Sequence, residues 1–168
     1  SLFFTVFYTT QNRQIVLLNK LQNIKNVSLE IAEHMDSHLI SNVAIANTLS
    51  SVPIIQDTLL KSNAEFNSLS ETERKLQIDA RNRQWMETKD TNDSFIQNHL
   101  SNPVAEFLKK QQIILPGMYG EIFLTNRYGV MIASTGRLTT LAHAHKYWWQ
   151  ASYFDGKGRV FFDDRGFD

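Results

Sequence analysis

The chain contains no cysteine, which removes disulfide frameworks, thiolate metal sites and cysteine nucleophiles together. It also lacks an excess of either charge, because 17 Lys and Arg residues balance 17 Asp and Glu residues. A nucleic-acid partner needs a clustered basic surplus to neutralise phosphates, and no stretch supplies one, so no nucleic acid is expected. No run reaches the roughly 18 apolar residues of a membrane span. Neither a phosphate-cradling glycine loop nor a nucleophile elbow is present, so no catalytic residue, no cofactor and no enzyme activity is assigned to this chain. Glycine itself is missing from the first two thirds: Gly117, Gly120, Gly129, Gly136, Gly156, Gly158 and Gly166 all follow Pro116.

What is present fits one globular domain or one domain with a helical extension: 168 residues, 42% of them hydrophobic. Before Pro116, a glycine-free chain broken only by Pro53 and Pro103 sustains long helices. After it, closely spaced glycines and aromatics read as short strands and tight turns; 11 of the 19 aromatic residues lie there. The expected class is α+β, divided as a long helix over 1–52, a helical part over 53–116 and a sheet portion over 117–168.

The first stretch carries a stripe at Leu17, Leu21, Ile24, Ser28, Ile31, Met35, His38, Asn42, Ile45 and Leu49, whose spacing alternates four and three residues. That is a heptad pattern. It suits a helix that packs partly on a domain and partly on a second copy of itself, the reading preferred for so long a periodic segment; the alternative is one helix of an ordinary bundle. Residues 1–10 hold no charge, which fits the last turns of a truncated membrane helix or a buried helix end.

After Pro53, residues Ile54, Ile55, Leu59 and Leu60 predict a short helix. Ser70 followed by Glu73 is a capping-box signature, so 71–87 reads as a surface helix with a solvated charged face. Asn102 and Pro103 start another helix, with Val104, Phe107 and Leu108 inward and an end near Ile114. Residues 121–125 and 130–134, joined by Asn126, Arg127, Tyr128 and Gly129, predict a hairpin. A helix over 145–154, a turn at 155–158 and a third strand over 159–162 follow.

The run over 121–135 (Glu-Ile-Phe-Leu-Thr-Asn-Arg-Tyr-Gly-Val-Met-Ile-Ala-Ser-Thr), then Lys146, Tyr147, Trp148, Trp149, Gln150 and Ala151, the turn at Gly156 and Gly158, and residues 163–168 together resemble a Cache domain. Cache domains are the PAS-like extracytoplasmic sensing modules of membrane receptors. The resemblance is detailed over about 50 residues and follows the family layout over nearly the whole chain. It departs at Asn126, where the family usually has Asp. Lys146 and Leu141 stand where amino-acid-sensing members carry Arg and Tyr, and a lysine lacks the planar fork that clamps a carboxylate.

This resemblance implies a PAS-like antiparallel sheet, incomplete at the C-terminus, that binds a small-molecule ligand. It also implies a parent receptor anchored in the cell membrane by segments outside this chain, most closely a sensor histidine kinase, with a chemoreceptor or diguanylate cyclase as alternatives. The long helix would make a homodimer and relay the signal. A helical assembly module without a ligand is the reading from another class. The ligand site is expected between the strands and the aromatic helix, from Tyr119, Phe123, Arg127, Met131, Lys146, Tyr147, Trp148 and Trp149, with Asp163 and Asp164 as further contacts. Adjacent helix residues point about 100° apart, so Trp148 and Trp149 cannot line one pocket equally. His143 and His145 are expected on the surface, and no metal site is assigned.

Overall fold

The computed structural model describes residues 2–114, 116–117 and 119–163, with side chains from Arg13 onward. It is mostly helical with one two-stranded antiparallel sheet, an α+β arrangement. The chain divides into two units, Ser1–Thr48 and Leu49–Asp168, so residues 53–116 and 117–168 belong to one compact body.

Helix α1 runs over Leu2–Ser50. It is long because nothing in it breaks a helix, and it stops where Pro53 forces the preceding Val52 into an extended conformation, ψ 124°. Its apolar residues between Arg13 and Ile40 stay exposed: Leu17, Leu21, Ile24, Ile31 and Met35 each keep more than half of their surface in solvent. No single helix among the described residues is long and apolar enough to cross a membrane.

In the second unit α2 (Pro53–Asn67) begins on its proline and buries Ile55 and Phe66. Helix α3 (Glu71–Glu87) opens on the expected capping box: Glu73 N donates to Ser70 Oγ at 3.3 Å and Ser70 N donates to Glu73 Oε2 at 2.9 Å. Ser70 Oγ also donates to Glu73 Oε2 at 2.6 Å, and this bond first, with that from the Ser70 amide, holds the Glu73 carboxyl below its ordinary pKa. The sequence presents α3 as a solvated face, yet Trp85 near its end is fully buried and donates its indole N–H to the Leu138 carbonyl at 2.8 Å. Helix α4 (Ser94–Leu100) is absent from the sequence reading; Asp93 caps it by accepting from the Phe95 and Ile96 amides. Helix α5 (Pro103–Ile114) starts where predicted, with Asn102 Oδ1 accepting from Ala105 N at 2.9 Å.

Strands β1 (Phe123–Thr125) and β2 (Met131–Ser134) pair antiparallel, Leu124 opposite Ala133, with an irregularity between Leu124 and Thr125. Their turn is built around Asn126, which is 2% exposed. Its Oδ1 accepts from the Tyr128 and Val130 amides, both at 3.0 Å, and its Nδ2 donates to Ser62 Oγ at 3.1 Å. The neutral amide thus satisfies three partners where an aspartate would bury a charge. Gly129 is required there twice over. Its φ is +72°, and a Cβ would stand 2.4 Å from the Ala144 amide nitrogen.

One side of the hairpin closes on helices. Met131 joins Phe66, Trp85 and Ile96, while Ala133 and Leu124 join Ile55, Val104 and Leu108. Phe123 and Thr125 turn their outer edges to α6 (Tyr147–Tyr153), through a Phe123–Trp148 ring contact and a bond from Trp149 Nε1 to Thr125 Oγ1 at 3.0 Å.

The third strand expected over 159–162 does not form. After α6, Phe154 and Asp155 take positive φ of 45° and 53° in a 3-10 turn (Phe154–Gly156), and the chain reverses. Arg159 then binds its own helix, its amide donating to the Ser152 carbonyl at 2.9 Å and its Nε to the Ala151 carbonyl at 2.7 Å. Backbone donors committed to a helix end are lost to a strand ladder. The hairpin's additional pairing instead comes from residues 141–143. Val130 bridges Ala142, Met131 N donates to the Leu141 carbonyl, and His143 N donates to the Gly129 carbonyl.

Candidate ligand site

Two cavities flank the same aromatic pair. The first, about 410 Å³, is lined by Phe123, Thr125, Asn126, Arg127, Trp148, Trp149, Ser152, Tyr153 and Gly158. The second, about 220 Å³, is lined by Phe123, Leu138, Thr139, Thr140, His143, Lys146 and Trp148. Phe123 and Trp148, with ring centroids 5.8 Å apart and nearly perpendicular, form the wall between them.

The rotation of about 100° per helix residue predicts that one indole turns into the core, yet both line the first cavity and neither is buried. Trp148 reaches both cavities, whereas Trp149 lines only the first, stacked on Tyr153 at 4.6 Å and tied to Thr125. Both indoles are half-buried. Among the described residues, Arg127 is the cation lining the first cavity and Lys146 the cation lining the second, and no carboxylate lines either. Such a lining favours ligands with an apolar body and a negative group.

Of the residues singled out in the sequence, the structure brings together Phe123, Arg127, Lys146, Trp148 and Trp149. Tyr147 is turned to Phe161, edge to face at 6.3 Å, and lines neither cavity. Tyr119 precedes β1, where its carbonyl accepts from Gln112 Nε2. Met131 is 1% exposed in the helix-facing core, so it does not reach the aromatic face. Asp163 is exposed on the segment that replaces the third strand, and Asp164 lies outside the described residues. Leu141 is fully buried.

His143 is a correction. Expected on the surface, it is 4% exposed and lies against Phe123 and Trp148, with ring centroids 5.2 and 5.5 Å away. The pairing of residues 141–143 with the hairpin draws it inward, while His145 stays exposed. Thr125 was missed, although it follows Phe123 by two residues on the same strand, the alternation that places two side chains on one face. Ser152 and Tyr153 carry the equivalent helical signal, one turn beyond Trp148 and Trp149. Leu138, Thr139 and Thr140 gave no signal, because a loop fixed by long-range bonds such as Trp85 to Leu138 has no local period.

A third, polar hollow of about 290 Å³ lies on the helical side, between α2, α4 and β2, and includes Lys61, Glu65, Arg81 and His99. Arg81 pairs with Glu65 there. His99 has its pKa lowered, first by burial and further by the Arg81 charge, against the opposing pull of its bond to the Phe95 carbonyl. Among the described residues no three His, Asp or Glu side chains gather as a metal site.

No family model, curated protein or solved structure matches the chain.

Proposed function

We propose that residues 49–168 are the PAS-like ligand-sensing domain of an extracytoplasmic membrane receptor. The parent receptor of this reading is most closely a two-component histidine kinase, with a chemoreceptor or diguanylate cyclase as the alternative. The observation that carries the ligand half of the reading is the pair of cavities meeting at Phe123 and Trp148, whose described lining offers Arg127 to one and Lys146 to the other. Sites for small metabolites combine an apolar wall with a few polar groups in this way. The chain senses rather than catalyses; output chemistry belongs to a segment outside these residues. A thermal-shift screen with small organic acids, amines and amino acids tests it, because a ligand that binds only the folded form raises the transition by mass action. A binder whose shift is lost in Trp148→Ala supports the site. No binder, or one indifferent to Trp148→Ala and Lys146→Ala, counts against it.

The signalling half rests on α1, whose seam is exposed from Leu17 to His38. A second copy in parallel register covers that seam and sets the two sensing domains side by side, so that a small shift of one helix against the other carries the signal. The same exposed seam favours the second reading, an assembly module without a ligand. Sedimentation separates the helix from the pocket: Leu21→Lys with Ile31→Lys abolishes the dimer in both readings, whereas only the sensing reading makes ligand binding depend on Trp148.

A further inference from the structure

We propose that the α1 dimer holds a divalent transition-metal ion between two copies of the chain, on His38 of each copy with His34 completing the shell. This rests on the parallel dimer just proposed. The stripe alternates in steps of four and three, which places Leu21, Ser28, Met35 and Asn42 at the a positions of a heptad and Leu17, Ile24, Ile31, His38 and Ile45 at d.

The choice of a second copy as the occupant comes from the match between layers. In a parallel, in-register pair each layer meets itself, so Ile meets Ile, Asn42 meets the partner's Asn42, and His38 meets the partner's His38. A polar Asn at a single a position is the device that fixes this register. The seam from Leu17 to Ile45 is about 42 Å long at 1.5 Å per residue, four full heptads. One pair opposes the arrangement: Lys20 at g faces the partner's Lys25 at e, a like-charge contact at the rim.

His34 lies one helical turn before His38, and the two rings already touch, centroids 4.5 Å apart and edge to face. Two imidazoles at i and i+4 on one helix face are a recurring half-site for zinc. Both residues are exposed in one chain, and two nitrogen donors bind an ion weakly. The second copy brings the missing donors to the same level of the helix, giving up to four nitrogens and no carboxylate. That donor set suits zinc, copper(II) or nickel and not calcium or magnesium. Without the ion, the two His38 rings at a d layer of the seam weaken the pair; with it, they bridge it, while the His34 rings lie at the rim. Metal concentration thereby becomes an input to the same helix that relays the ligand signal.

Sedimentation of the 168-residue chain in EDTA and in zinc chloride, with zinc content measured on the separated dimer, tests this. The expected result is a dimer at least about tenfold tighter in zinc, with one ion per two chains, since an ion that binds only the dimer stabilises it by mass action. His38→Leu should reverse the pattern, tightening the dimer in EDTA while abolishing the zinc effect, which a merely damaged helix would not do. His34→Ala should weaken the zinc effect and leave the EDTA dimer unchanged. Lys25→Glu, which turns the opposed lysines into an attractive pair only in the parallel register, should tighten the dimer in both buffers. A dimer indifferent to zinc, or a zinc effect that survives His38→Leu, overturns the metal site alone. A chain that stays monomeric in both buffers, with Lys25→Glu no help, overturns the dimer and the metal site together.

Discussion

The two sides of one short hairpin have been put to opposite uses. On the helical side, Met131 and Ala133 sit in a closed interior with Phe66, Trp85, Ile96 and Val104, none more than 1% exposed. On the other side, Phe123 is flanked by two open hollows, and the aromatic residues that cover it, Trp148, Trp149 and Tyr153, remain half-buried. The difference teaches that aromatic content alone does not mark a core. What separates the two sides is closure: Trp85 has its indole bonded and its rim filled, whereas Trp148 stands between cavities.

The largest test of that contrast compares the two tryptophans. Trp85→Ala should cost about 3–5 kcal/mol in urea unfolding, the ordinary loss for emptying a packed aromatic site. Trp148→Ala should cost only about 1–2 kcal/mol, because much of its ring already faces space. Equal losses would mean that both sides are core. The hinge between the sides comes next. Asn126→Ala leaves the Tyr128 and Val130 amides and the Ser62 hydroxyl without their partner, and should cost about 2–3 kcal/mol in the same measurement. A loss well below 1 kcal/mol would show that the turn does not depend on this side chain.

The smallest effect is a pH dependence confined to the helical side. The folded state lowers the pKa of His99 from its usual 6.5, mainly by burying it, so the unfolded chain takes up the proton more readily. The stability tied to this group is therefore complete above pH 6.5 and declines as pH falls from there through the lowered folded value. His99→Leu should flatten the urea midpoint against pH in that window; an unchanged slope would show that His99 is not the group responsible. Glu73, whose folded pKa is also lowered, contributes in the same direction but below its ordinary 4.5, where the capping box is lost as the carboxyl protonates.

Much of the helical layer was legible because its signals are local. The Ser70 and Glu73 pair, Pro53, and Asn102 with Pro103 mark helix starts by chemistry that acts within four residues, and the structure begins helices at each of them. The hairpin was legible from its alternating residues around Asn126 and Gly129. Helix α4 was not, since seven residues show no reliable period and its cap, Asp93, is one of many acids in the chain. The inward turn of His143 and the burial of Trp85 were hidden for another reason. Both depend on the loop over 135–146, which is held by bonds from α3: Asn82 Oδ1 accepts from the Leu141 and Ala142 amides, and Arg137 donates to the Trp85 carbonyl. Partners more than 50 residues apart leave no pattern to read. The third strand failed because residues 159–162 have strand composition while the turn before them returns the chain to its own helix.

The three tryptophans offer the most direct measurement of the central claim that the aromatic side binds a ligand and the helical side does not. Each indole N–H gives a separate NMR signal, and the three report on the closed core, the shared wall and the first cavity. Titration of the 168-residue chain with compounds from the thermal-shift screen should move the Trp148 signal, with or without that of Trp149, further than that of Trp85, whose indole reaches the site only through its bond to Leu138. A binder that moves Trp85 and leaves Trp148 and Trp149 unchanged would contradict the account.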